Sequence, residues 1–332
     1  MTVEADRILE GLLGALDKAP DGVRRDDLAE FLQTDAAALD RAWAALKRDR
    51  FEVREEQGLW TLVRAPDRLL PHWVRARLRT DRIGATIYYR EEMPSTQDAA
   101  FELIVEGRPH GTLVVAEHQT SGRGRSGRGW ISTHGRGLLF SIVLELEPPD
   151  TFASVLTVAT ATAVARGIRH VTDLPATIKF PNDILVRGKK VAGILIEAKD
   201  YGVPPPRAVV GVGVNVNETL EDLPEALRES ATSLCLERRD HEPISRVALL
   251  RRILTELERW LDQIALGRFE VLDEAWSRLS GFEDREVVFV CGGEQVRGRV
   301  LEAGIREGLL LRQTGGTEQR YRLEHIIDLR VQ

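Results

Sequence analysis

Cysteine is scarce in this 332-residue chain. Only Cys235 and Cys291 occur, each isolated, so the sequence supports neither a disulfide framework nor a CxxC metal site. This fits a reducing cytoplasm. The seven histidines show no HxH or HxxxH spacing, which leaves a structural zinc site without ligands. No run approaches the ~18 to 20 apolar residues of a membrane span. The most apolar stretch, residues 152–168, is interrupted by Thr157, Thr160, Thr162 and Arg166 and reads as a core helix. The first residues, Met1-Thr2-Val3-Glu4-Ala5-Asp6, are acidic and lack a secretory signal pattern. There is no excess of positive charge either: 46 Lys and Arg stand against 52 Asp and Glu, a net of -6, which excludes a wholly basic nucleic-acid glove. Hydrophobic residues make up 43% of the chain, enough for a large core and two or three domains.

Residues 1–64 have a pattern of their own. Ile8, Leu9, Leu12, Leu13 and Leu16 predict a first helix, Asp26 to Leu32 a second, and Asp35 to Arg48, with Leu39, Trp43 and Leu46 on one stripe, a third. Two short strands, 51–54 and 59–63, follow. This is the order of a winged helix-turn-helix, which would place the third helix in a major groove. That helix opens on Asp35-Ala36-Ala37-Ala38-Leu39-Asp40, two carboxylates and few donors, and residues 1–64 hold 10 Lys and Arg against 14 Asp and Glu. DNA binding is therefore the weaker half of this reading. A charged linker is expected over 65–83, punctuated by Pro66 and Pro71.

The stretch with the most chemistry is Gly122-Arg123-Gly124-Arg125-Ser126-Gly127-Arg128-Gly129-Trp130. It matches G-x-G-x-x-G, but a strand (138–146) follows where a dinucleotide fold needs a helix, so a Rossmann turn is rejected. Two readings remain: a solvated charge run, or a mobile lid closing over an anion. Upstream, Ser95-Thr96-Gln97-Asp98 begins a helix and is spaced as a capping box. Downstream, Lys179 stands in an otherwise apolar strand, which is uncommon without a negative partner. Gly193, Gly211 and Gly213 lie in strands, where a missing side chain lets a flat ligand come close.

Six motifs in order complete the picture: Ser95-Thr-Gln97, Gln119 before the glycine–arginine loop, Lys179-Phe-Pro-Asn-Asp183, Lys190-Val-Ala-Gly-Ile-Leu195, Gly211-Val-Gly-Val-Asn215 and Ala231-Thr-Ser-Leu234. Over residues 81–280 the chain resembles a biotin–protein ligase, and with the segment ahead of it the bifunctional ligase and biotin operon repressor. Two positions depart from the family pattern: Gln97 stands where Asn is common and Phe180 where Trp is usual.

The resemblance implies an α+β fold: a winged helix-turn-helix (1–64), a linker (65–83), a ligase domain with a central mixed sheet (84–280), and an SH3-like β-barrel (281–332). It implies biotin and ATP as substrates with Mg²⁺, formation of biotinyl-5'-AMP, and transfer to a lysine of a biotin carboxyl carrier protein. Operator DNA and a second copy of the chain are further implied partners. Ser95, Thr96, Gln97, Gln119, Arg123, Gly124, Arg125 and Lys179 would line the biotin side, with Lys179 and Arg125 catalytic. Arg128, Trp130, Asn182 and Asn215 would face the nucleotide. Trp260 and Trp276, in two amphipathic helices near 244–264 and 269–279, are expected in the core.

Overall fold

A computed structural model describes residues 3–145, 152–199 and 207–332. The chain forms two compact units, Met1–Arg79 and Thr80–Gln332.

The first unit runs α1 (Val3–Leu16), β1 (Val23–Arg24), α2 (Arg25–Leu32), α3 (Ala36–Arg48), β2 (Glu52–Glu56), β3 (Leu59–Arg64) and α4 (Pro71–Arg75). The 3.6-residue spacing of Leu9, Leu12, Leu13 and Leu16 is the physical reason for α1, and all four side chains are buried. Asp35 caps α3 by accepting from the Ala38 N–H at 2.6 Å. Trp43 of α3 stacks on Trp60 of β3 with ring centroids 4.2 Å apart, which fixes the helix on the three-stranded sheet β1-β3-β2. The two-residue strand β1 was not legible in the sequence. Nor is the expected linker free-standing: α4 is buried through His72, Trp73 and Val74 and packs on α1.

The second unit opens with Asp81, Arg82 and Ile83, whose three backbone N–H groups all donate to the carboxylate of Glu258, at 2.6, 3.0 and 2.7 Å. Next come β4 (Ile87–Met93), α5 (Thr96–Val105), β5 (Leu113–Gln119), a small hairpin of β6 (Gly122–Arg123) and β7 (Gly129–Trp130), and β8 (Leu138–Glu145). Leu146, the last residue of the expected 138–146 strand, lies outside the described residues. The chain continues through α6 (Phe152–Thr172), β9 (Ala176–Lys179), β10 (Asp183–Val186), β11 (Lys189–Lys199), β12 (Arg207–Val214), α7 (Leu234–Glu237), α8 (Arg246–Ala265) and α9 (Phe269–Ser280). A second sheet ends it, from β13 (Glu286–Cys291), β14 (Glu294–Gly304), β15 (Gly308–Gln313), β16 (Glu318–Tyr321) and β17 (Ile327–Val331).

The central sheet has seven strands in the order β4-β5-β8-β12-β11-β10-β9. Only β4 and β5 run parallel, so the sheet is mixed. Its register decides what each face carries, since paired residues point the same way. One row, Ile178, Ile184, Ala192, Val214 and Leu138, is buried throughout and faces α6. Behind α6 lies α8, with Gly167 so close to Ile253 that a Cβ would stand 2.7 Å from its side chain. On the other face α5 packs Phe101, Leu103 and Ile104 against Val114, Ala116, Val143 and Val209. Beyond α5 the same face turns to glycine, at Gly211, Gly213 and Gly193. Trp260 and Trp276 are buried, as expected.

Candidate functional site

The glycine row forms the floor of a pocket open to solvent, lined among others by Gln97, Gln119, Arg125, Trp130 and Lys190. Its roof is the β6–β7 hairpin. Gly122 pairs with Trp130 and Arg123 with Gly129, and the tip closes through Gly124 N–H to Arg128 O at 2.7 Å. Glycine is required at two points of this turn. A Cβ on Gly122 would meet Trp130 O at 2.4 Å, and Gly127 takes a φ of +73°. The glycine–arginine loop therefore has a defined hairpin shape. It lays the Trp130 ring on the floor, where a Cβ at Gly213 would be 2.5 Å from the indole.

One end of the pocket is neutral and polar. Ser95 caps α5, accepting from the Gln97 and Asp98 N–H groups, so its role as a helix cap is real. Gln119 Oε1 accepts from Thr96 N–H (2.7 Å) and Thr96 Oγ1 (3.0 Å). Ser141 Oγ lies 2.9 Å from Thr96 Oγ1 and donates to Gln97 Oε1 at 3.2 Å. All five residues are buried. Buried hydroxyls and amides interlocked in this way are held rigid and offer a fixed pattern of donors and acceptors.

The other end is cationic. Arg125 donates through Nη1 to Asn182 Oδ1 at 3.1 Å, while Asn182 Nδ2 donates to Ile194 O at 2.8 Å. Lys190 Nζ lies 2.6 Å from Asp183 Oδ1 and 5.8 Å from the centre of the Trp130 ring.

Of the residues singled out from sequence, Ser95, Thr96, Gln97, Gln119, Arg123, Gly124, Arg125, Trp130 and Asn182 all line this pocket. Three do not. Arg128 is exposed on the hairpin. Asn215 is buried and engaged elsewhere, donating to Thr232 O at 3.0 Å. Lys179 is exposed, and it lines a separate groove with Thr177, Leu185 and Arg330. The register explains this. Lys179 pairs with Asp183 and Asp183 with Gly193, so the lysine shares the pocket's face but sits two strands to the side.

Lys190, by contrast, does line the pocket. Strict alternation would put it with Ala192, facing α6. A bulge prevents that: Leu185 pairs with Lys190 and Ile184 with Ala192, which leaves Val191 as an extra residue and turns Lys190 to the pocket. Ser141 was also missed. A lone hydroxyl in the apolar run 138–144 was its only signal.

Known proteins resemble this chain in sequence and in fold. The biotin/lipoate A/B protein ligase family matches residues 89–215. The bifunctional ligase/repressor BirA of Bacillus spizizenii is 36% identical over 225 residues, 67% of this chain and 68% of that protein. The biotin–[acetyl-CoA-carboxylase] ligase of Mycobacterium tuberculosis is 33% identical over 242 residues, covering 70% of this chain and 87% of that one. Among solved structures, the biotin protein ligase from Aquifex aeolicus in complex with biotin and ATP superposes with a TM-score of 0.62 at 26% identity, covering 75% of this chain and all of that one.

Proposed function

The chain belongs to the biotin/lipoate A/B protein ligase family, and from that premise we propose that it activates biotin with ATP and passes the biotinyl group to a lysine of a biotin carboxyl carrier protein. The observation that carries this reading is the two-ended pocket. Biotin is a flat, neutral ureido head joined by an apolar chain to a carboxylate. The buried amides and hydroxyls of Thr96, Gln97, Gln119 and Ser141 suit the head, and Arg125 and Lys190 suit the carboxylate.

In the first step a biotin carboxylate oxygen attacks the α-phosphorus of ATP, the bond to the β-phosphate oxygen breaks, and pyrophosphate leaves. Two anions must approach, so cations placed in advance supply much of the catalysis. Arg125, oriented by Asn182, and Lys190, oriented by Asp183, take that role. No protein nucleophile is required, because positioning does the rest. In the second step the carrier lysine's amine attacks the carbonyl carbon and AMP leaves. Between the steps the hairpin shields the mixed anhydride from water. Magnesium would arrive on the phosphates of ATP; among the described residues no group of three or more His, Cys, Asp or Glu is placed to hold a metal ion. Incubation with labelled biotin, ATP, Mg²⁺ and a carrier domain tests the reading: label on the carrier lysine is expected, and its absence with active carrier overturns it.

A second role rests on the first unit. The order α1-β1-α2-α3-β2-β3 fits a winged helix-turn-helix, and we read it as a segment able to bind operator DNA in a repressor role. The exposed face of α3 argues for weak binding, since Asp40 holds Arg25 in an ion pair at 2.6 Å and Asp35 stands at its start. A gel shift with the chain's own promoter, with and without biotin and ATP, tests it; no shift at low salt removes it. The five-stranded antiparallel sheet β16-β15-β14-β13-β17 fits an SH3-like barrel that helps to hold the acceptor. Among the described residues no helix is long and apolar enough to cross a membrane.

A further inference from the structure

Arg123, the first arginine of the loop, does not offer a free charge to the pocket. Its Nη1 donates to Asp98 Oδ1 at 2.5 Å and its Nη2 to Glu197 Oε1 at 2.6 Å. The second oxygen of Glu197 accepts from Gln97 Nε2 at 3.1 Å. One carboxylate on β11 therefore ties the roof of the pocket to its neutral end. Gln97 has no slack to replace that contact. Its Nε2 also donates to Val209 O at 3.2 Å, its Oε1 accepts from Ser141, and a Cβ on Gly211 would stand 2.3 Å from that same Oε1.

The charges at the two ends are opposite. Behind the uncharged amides and hydroxyls of one end, Asp98, Glu197 and Arg123 sum to -1, while Arg125, Lys190 and Asp183 sum to +1 at the other. An anionic group entering the pocket is repelled from the first and drawn to the second. We propose that Glu197 is a positioning residue for the substrate: it fixes Gln97 and Arg123, and its charge keeps the substrate carboxylate at the Arg125–Lys190 end. Glu197 touches no reacting atom in this arrangement. It acts through its two partners, and the assignment rests on the biotin-activating reading above.

Glu197→Gln keeps the size and one acceptor for Gln97 but removes the charge, which frees Arg123. In the pyrophosphate-release assay the KM for biotin is expected to rise about tenfold while kcat stays within about threefold, because loss of one charge-assisted hydrogen bond at the ground state weakens binding rather than chemistry. If Glu197 acts through Arg123, the double variant Glu197→Gln/Arg123→Gln has a KM well below the product of the two single effects. An unchanged KM for Glu197→Gln, strictly multiplicative effects in the double variant, or a fall in kcat and thermal midpoint with KM unaltered would each overturn the proposal. A wild-type chain that releases no pyrophosphate with biotin and ATP refutes the activation reading itself, and this inference falls with it. An active wild type with an indifferent Glu197→Gln refutes the inference alone.

Discussion

The pocket under the β6–β7 hairpin and the groove beside β9 lie on the same face of one sheet, and each has a lysine. Lys190 sits beneath a roof, against Asp183 and the Trp130 ring, with Arg125 opposite. Lys179 is exposed at the edge strand, in a groove lined by Thr177, Leu185, Phe180 and residues of β17. What separates them is closure. A cation partly covered by a hairpin, as Lys190 is with its side chain 35% exposed, acts on a substrate charge more strongly than one bathed in water. The same residue type on the same face therefore carries two different chemical weights.

The largest break in this comparison is expected from Lys190→Ala. It should lower the rate of biotin-dependent pyrophosphate release on the order of 10²- to 10³-fold, the cost of losing one preorganised charge, with an unchanged thermal unfolding midpoint. A loss smaller than about threefold would remove Lys190 from the chemistry. Gly213→Val should come next. Its side chain would displace the Trp130 indole from the floor, so activity should fall at least about tenfold while overpacking costs about 1 to 3 kcal/mol; isothermal titration with biotin reads the loss directly.

The loop leaving the hairpin meets the segment after β12 at a buried cluster, where Arg246 Nη1 lies 2.7 Å from Glu117 Oε2 and Glu218 packs against Gly137. Burial pushes the Glu218 carboxyl up to about 7, with Asp222 adding to the rise and Arg246 opposing it. The folded pKa lies above the model-peptide carboxylate range, so the folded state binds this proton more tightly than the unfolded chain does. Stability from this group is complete below about pH 4.5 and is lost as pH rises through about 7. Glu218→Gln should therefore raise the unfolding midpoint at pH 8 and leave it little changed at pH 5. Equal shifts at both values would contradict the assignment. The smallest effect is expected from Lys179→Ala, whose biotin activation should stay within about threefold of wild type; a hundredfold loss would erase the distinction between the two lysines.

Much of this is legible in the amino-acid sequence alone. Helical spacing located α1 and α3, and the Ser95 and Asp35 caps began helices where a hydroxyl or carboxylate precedes an apolar stripe. The pocket's neutral end and the hairpin arginines were named because glycine, arginine and amide residues keep their chemistry wherever the chain puts them. Lys190 was not, because alternation in a strand is a local rule and the bulge at Val191 reverses it. Lys179 looked stranded in an apolar run, yet an edge strand lets such a side chain reach water. Asn215 shows a different limit: a polar residue in a glycine-rich motif suggests a ligand, and only the fold shows its amide donating to Thr232.

The carboxylate of Glu258 holds residues 81–83 from 175 to 177 positions further along the chain. On the ribosome those three amides therefore wait, without this partner, until α8 has been made. The first unit has no such delay, because α1, α3 and the β2–β3 pair all lie within its first 64 residues. The chain is thus set to fold in order of synthesis, its small helical unit complete while the first strand of the ligase sheet is still unfastened.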